Sequence, residues 1–169
     1  MNAPFRHGPN GPRPDIHWQT LTHAANRLFA QGNLDGAHGM YLAAKAEADR
    51  CMARARFPAD EDPEIFSLAP MMLVISWQNL AECAESRGKV REAETAYRQA
   101  CLDMLDTVEN EALATGLRAS AARHLKPALS EFATWLQRTG KGPAALAAIV
   151  ARGQHLLAVH APQTQSTHH

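Results

Sequence analysis

The sequence predicts an all-α protein built from three antiparallel helix pairs, and three observations carry that expectation. Only 6% of its residues are aromatic while alanine is abundant, a balance that suits closely packed helices better than sheets. Apolar residues recur at i, i+3, i+4 and i+7 over most of the 169 positions. Gly32, Gly88 and Gly140 interrupt that pattern, and each is followed five residues later by an alanine: Ala37, Ala93 and Ala145. The length suits one domain with a proper core.

Residues 1–14 carry Pro4, Pro9, Pro12 and Pro14 without an apolar stretch, and are expected to be a disordered leader rather than a secretory signal. A helical domain is expected over 15–160. Asp15 is placed to cap its first helix, on which Leu21, Ala24, Ala25 and Leu28 form one stripe before Gly32 ends it. The second helix carries Ala37, Met40, Tyr41, Ala44, Ala48 and Cys51. Arg56 to Asp62 then reads as a surface loop, with Phe57-Pro58 and the acidic run Asp60-Glu61-Asp62. Asp62-Pro63 reads as an N-cap followed by proline at the first helical position. Pro70 leaves two readings open: the third helix starts near Ser67, or it bends at the proline. The five apolar residues Met71 to Ile75 imply a helix buried on both sides, or a recess lined by Met71, Met72 or Ile75.

After Gly88 a fourth helix runs through Val90, Ala93, Tyr97, Ala100 and Met104. Residues 109–139 continue a helical pattern through Leu113, Leu117, Ala121, Leu125, Leu129, Phe132 and Leu136, and Pro127 predicts a break or kink near His124 to Lys126. The last helix should end around Leu157, leaving 161–169 as a flexible tail. Ile149, Val150, Leu156, Leu157 and Val159 exceed what one packing face needs, so a second copy of the chain or a partner is expected over the C-terminal helix pair, a homodimer in the first case.

Setting the three glycines over one another aligns Ala37 with Ala93, Tyr41 with Tyr97, and Ala44 with Ala100; Leu21 and Leu129 stand where Trp77 stands. The best-formed unit reads W-x2-L-A-x2-A-x3-G-x4-A-x3-Y-x2-A from Trp77 to Ala100. It resembles the tetratricopeptide repeat (TPR), whose pattern is W-x2-L-G-x2-Y, then A-x3-F, then a late proline. The resemblance covers about residues 16–157 and implies a TPR-like right-handed solenoid. The units recur at 56 and 52 residues instead of 34. The glycine-to-alanine turn keeps its length, so the extra residues lengthen helices between pairs, to about 26–30 residues or roughly 40–45 Å.

The resemblance also implies a function. TPR proteins bind peptides on a concave face lined by the first helix of each pair. Carried onto this chain, that face presents Thr22, Asn26 and Phe29, then Gln78, Asn79, Glu82 and Glu85, then Ser130, Thr134, Gln137 and Arg138. The lysines and arginines with which some TPR domains grip chaperone carboxylates are replaced by Thr22 and Ser130, and Glu82 adds a negative charge. The competing reading of this polar set is an ordinary solvated helix face. The resemblance thus implies a non-catalytic, cytoplasmic protein-interaction adaptor or chaperone, of the size of small bacterial TPR chaperones, that binds a peptide or helix of a protein partner.

Other classes find little support. Lys+Arg and Asp+Glu number 17 each, which speaks against a nucleic-acid or anionic-membrane binder. No apolar run is long enough to span a bilayer. Cys51, Cys83 and Cys101 show no C-x2-C pairing and fit reduced thiols in a cytoplasmic compartment. His17 and His23 lack the i, i+4 spacing that lets two imidazoles share a zinc ion; His38 and His124 stand alone, and His168-His169 have no third ligand nearby. No metal or cofactor is expected. There is no G-x-S-x-G, phosphate-binding glycine loop or H-E-x-x-H, and Gly140-Lys141-Gly142-Pro143 lacks the upstream glycine of such a loop. The alternative to an interaction module is a regulatory helical protein that senses a small molecule or metal ion.

Overall fold

The computed structural model describes residues 14–57, 63–142 and 144–159. Among them the chain is all-α, with six helices: α1 Pro14–Ala30, α2 Leu34–Arg56, α3 Pro63–Ser86, α4 Val90–Glu109, α5 Thr115–Arg138 and α6 Ala144–Val159. The expected leader up to residue 13, the acidic run Asp60-Glu61-Asp62 and the tail from residue 160 lie outside the described residues. None of the described helices is long and apolar enough to cross a membrane.

One device closes all three pairs. Gly32, Gly88 and Gly140 take φ of 76°, 72° and 68°. Each glycine N–H bonds the carbonyl three residues back, and the next residue's N–H reaches the carbonyl five back, as Lys89 does to Ala84 at 2.8 Å. This is the Schellman closure, which satisfies helix-end carbonyls at the cost of one left-handed residue. Nothing lies within 4 Å of where a Cβ would stand at these glycines, so the dihedral and not crowding selects glycine. Asn33 then caps α2 by accepting the Gly36 N–H at 3.0 Å, a cap the sequence reading missed. Asp15 lies in the first turn of α1 rather than at its cap.

The helices are shorter at the far end than expected. α2, α3 and α5 have 23, 24 and 24 residues, roughly 35 Å each. The pattern over 109–139 is not continuous, because Asn110 turns the chain: its side chain accepts the Ala112 N–H at 3.1 Å and its carbonyl the Leu113 N–H at 3.0 Å. α5 begins only at Thr115 and runs unbroken through Pro127, which is exposed, so water can satisfy the carbonyl it orphans. α3 likewise starts at Pro63 and carries Pro70 fully buried inside it, with the buried Ser120 hydroxyl donating to Ser67 O in the preceding turn at 3.5 Å.

Each helix packs on the next, and α3 also packs on α5; α6 touches α4 and α5 more lightly. Met72, Leu73 and Val74 are buried and Met71 and Ile75 half-buried, so this run is packed on both sides of α3. Ala37, Ala44, Ala93 and Ala100 are essentially inaccessible, which lets backbones approach closely. Cys51, Cys83 and Cys101 are buried and form no disulfide among the described residues, and burial pushes Cys101 up to about 12. On α6, Leu146 and Ile149 are buried and Val150 half-buried; the side chains of Leu156, Leu157 and Val159 lie outside the described residues.

The three tryptophans bond between helices. Trp18 on α1 donates to Ser76 Oγ on α3 at 2.9 Å, and Trp77 on α3 to Asp103 Oδ2 on α4 at 2.7 Å. Trp135 on α5 donates to Glu85 Oε1 on α3 at 2.7 Å. A buried indole N–H must be paired, so each bond fixes one register between helices.

Candidate functional site

Glu85, in the last turn of α3, gathers three side chains through four hydrogen bonds. Its Oε1 accepts from Trp135 Nε1 at 2.7 Å and from Arg138 Nη2 at 3.0 Å, and its Oε2 from Arg138 at 2.9 Å and Tyr97 Oη at 3.4 Å. Trp135, 1% exposed, packs against Tyr97 and Phe132 with ring centroids 5.7 and 6.2 Å away, and Lys141 Nζ lies 5.2 Å from its ring centre. Lys141 is itself paired to Glu94. The aromatic cluster and the carboxylate thus hold each other in place.

Beside this cluster α1, α3, α4 and α5 enclose an open recess of about 660 Å³. Phe29 contributes from α1, Glu82, Glu85 and Ser86 from α3, Tyr97 from α4, and Glu131, Thr134, Trp135 and Arg138 from α5. Three carboxylates face one guanidinium, and Arg138 is spent on Glu85. Among the described residues Glu82 and Glu131 have no cation within ion-pair distance. The Glu82 carboxyl is raised above the ordinary range by burial first, then by Glu131 and Glu85, with Arg138 opposing. Burial and the same carboxylates push Tyr97 up to about 12, so its hydroxyl remains a donor.

The recess brings together Phe29, Glu82, Glu85, Thr134 and Arg138 of the face expected from sequence. The other six lie elsewhere. Thr22 is buried and its hydroxyl has no hydrogen-bond partner among the described residues. Asn26 spends its Oδ1 on Tyr41 Oη at 2.7 Å. Gln78 and Asn79 are half-buried, and Ser130 and Gln137 are exposed, all outside the recess lining. Trp18 on α1 bonds Ser76 on α3, and the recess lies nearer the glycine turns, at Phe29, Glu85, Ser86 and Arg138. The sequence reading missed Ser86, Glu131 and Trp135, and gave Tyr97 only as a packing position of the repeat. Glu131 stands where Asn79 stands once Gly140 is set over Gly88, so the alignment held the signal. Trp135 falls on the position of Cys83, where the repeat gives no signal; its spacing of four and three from Glu131 and Arg138 does.

Among the described residues no group of three histidine, cysteine, aspartate or glutamate side chains could hold a metal ion. His124 is lowered by burial and by Arg123 and stands apart from the recess. No curated protein and no solved structure matches the chain. A family profile described as a protein of unknown function, DUF2753, matches residues 16–164, and the chain belongs to that family.

Proposed function

We propose that this chain is a TPR-like right-handed solenoid of three helix pairs and serves as a non-catalytic adaptor or chaperone, binding a segment of a partner protein in the recess between α1, α3 and α5. The observation that carries this reading is the unbalanced charge of the recess: Glu82 and Glu131 stand uncompensated around a cavity walled by Phe29, Tyr97 and Trp135. A lysine or arginine of the partner fits it. The cation relieves the repulsion that raises Glu82, while the long methylene stem lies along the aromatic wall. Glu85 and Arg138 are already paired and act as the fixed frame, with Thr134 and Ser86 supplying hydroxyls at the rim. Preorganised acceptors reduce the cost of ordering a bound segment.

The test is affinity capture with mass spectrometry, comparing wild type with Glu82→Gln combined with Glu131→Gln. Both positions are exposed, so the fold should hold. The expected outcome is a partner retained by wild type, lost by the variant, and released by high salt. A partner list unchanged by the double variant defeats the recess reading.

A further inference from the structure

We infer that the basic side chain the recess takes is an arginine, whose guanidinium is held between Glu82 of α3 and Glu131 of α5. The inference rests on the reading of the recess given above and narrows it from any basic side chain to one. Both carboxylates line the recess from helices that pack on each other, and among the described residues neither has a cation within ion-pair distance. The hydroxyls of Ser86 and Thr134 line the same space. A guanidinium brings five N–H donors in one plane and can bond two carboxylates at once, whereas an ammonium is a compact point charge with three donors. Glu131 stands near enough to help raise Glu82, so one planar cation shared by the two relieves both. Phe29 and Tyr97 add ring surface to the wall, and a guanidinium, less strongly hydrated than an ammonium, is the easier of the two to bring against it.

Arg138 shows which cation this lining already holds. Its Nη2 donates to both oxygens of Glu85, at 3.0 and 2.9 Å, while the Trp135 indole and the Tyr97 hydroxyl donate to the same carboxylate. Glu85 is therefore occupied by the chain itself, which leaves Glu82 and Glu131 for a guanidinium from outside. Glu131 lies two helical turns before Arg138 on the same face of α5, about 10 Å along its axis, so a second guanidinium has room without crowding the first. The lysine beside the cluster is sorted differently. Lys141 does not line the recess; it pairs with Glu94 on α4 and lies 5.2 Å from the centre of the Trp135 ring.

The experiment is an NMR titration of the full chain with two probes, Nα-acetyl-arginine N-methylamide and its lysine counterpart. The Trp135 indole N–H is the reporter, because its acceptor Glu85 lines the recess. The expected result is saturable binding in which the arginine probe has a dissociation constant at least about fivefold below that of the lysine probe. Glu82→Gln and Glu131→Gln, made singly, should each bring the two probes to within about twofold of one another, since a lone carboxylate cannot be bridged. Both positions are exposed, and helicity and melting temperature check the fold. The inference is overturned if the lysine probe binds wild type as tightly as the arginine probe, or if either single variant keeps the preference. In those cases, loss of both probes in the double variant leaves the recess reading standing. If neither probe shifts the Trp135 signal of wild type, the recess takes no basic side chain, and both readings fall together.

Discussion

Glu85 is the residue with the most to lose. Its carboxylate satisfies an indole N–H and a guanidinium, so Trp135→Phe should keep the ring packing with Tyr97 and Phe132 while removing the 2.7 Å bond. Denaturant unfolding should register a loss of about 1–2 kcal/mol. Glu82 behaves in the opposite sense. Its carboxyl is raised in the folded state, so the folded chain holds that proton more tightly than the unfolded one, and stability falls as pH rises through the folded value. Glu82→Gln should therefore stabilise the chain at neutral pH, by a few tenths of a kcal/mol at this exposed rim, and make no difference in acid below the ordinary carboxylate range. Equal melting temperatures at neutral pH would refute the repulsion. At this scale the sequence was a partial guide. The resemblance placed Glu82, Glu85 and Arg138 on one face, but the burial of Thr22 and the engagement of Asn26 by Tyr41 on α2 depend on contacts between helices, which register does not encode.

The turns were the most legible elements, because a Schellman closure needs a left-handed residue and glycine supplies it with no side chain to strain. Gly88→Ala, at φ 72° with open space around it, tests this cleanly. The expected cost is about 1 kcal/mol from the dihedral alone, with unchanged helicity; a neutral substitution would mean the turn relaxes. The far ends of the helices were harder to read. Asn110 ends α4 with a side-chain bond to the backbone two residues on, a local competition with the helix that apolar periodicity cannot detect. Pro127 was expected to break or kink α5; the helix runs through it as one element, since one missing N–H on an exposed face is tolerable where the other face buries Leu125, Ala128 and Phe132. The third unit departs from the repeat for a physical reason as well. Arg152 occupies the place of Ala100, and it reaches back to Asp106 and Glu109 on α4, so a packing position has become an electrostatic tie.

The whole molecule is knit unevenly, and that has a measurable consequence. α1 to α4 share alanine-lined contacts and the Trp18 and Trp77 bonds, whereas α6 rests on fewer residues of α4 and α5. Its apolar anchorage among the described residues is Leu146, Ile149 and half-buried Val150, with Gly153 lying so close to Leu129 that a Cβ would stand 3.0 Å from it. The remaining ties are ionic: Arg152 to Asp106 at 2.7 Å and to Glu109, and at the preceding turn Lys141 to Glu94. The bonds from Arg152 and Lys141 hold the Glu109 and Glu94 carboxyls below the ordinary range. A depressed carboxyl contributes stability that is present above its unfolded value and is lost as pH falls through its folded value. The α6 helix should therefore open locally before the rest of the chain, and more readily in acid. Hydrogen exchange, expressed as protection factors corrected for intrinsic rates, should show α6 less protected than α2, α3 or α4 at neutral pH. Arg152→Ala should lower α6 protection further, by about 1 kcal/mol or less because the pair is partly exposed, with almost no change at α3. It should also reduce the acid sensitivity of α6 by the share that the Arg152 bond to Glu109 carries, while the Lys141–Glu94 tie keeps its own. If α6 is protected as strongly as α3, or if Arg152→Ala shifts both helices equally, then the third pair unfolds only with the whole domain and the ionic ties do not define a separate unit.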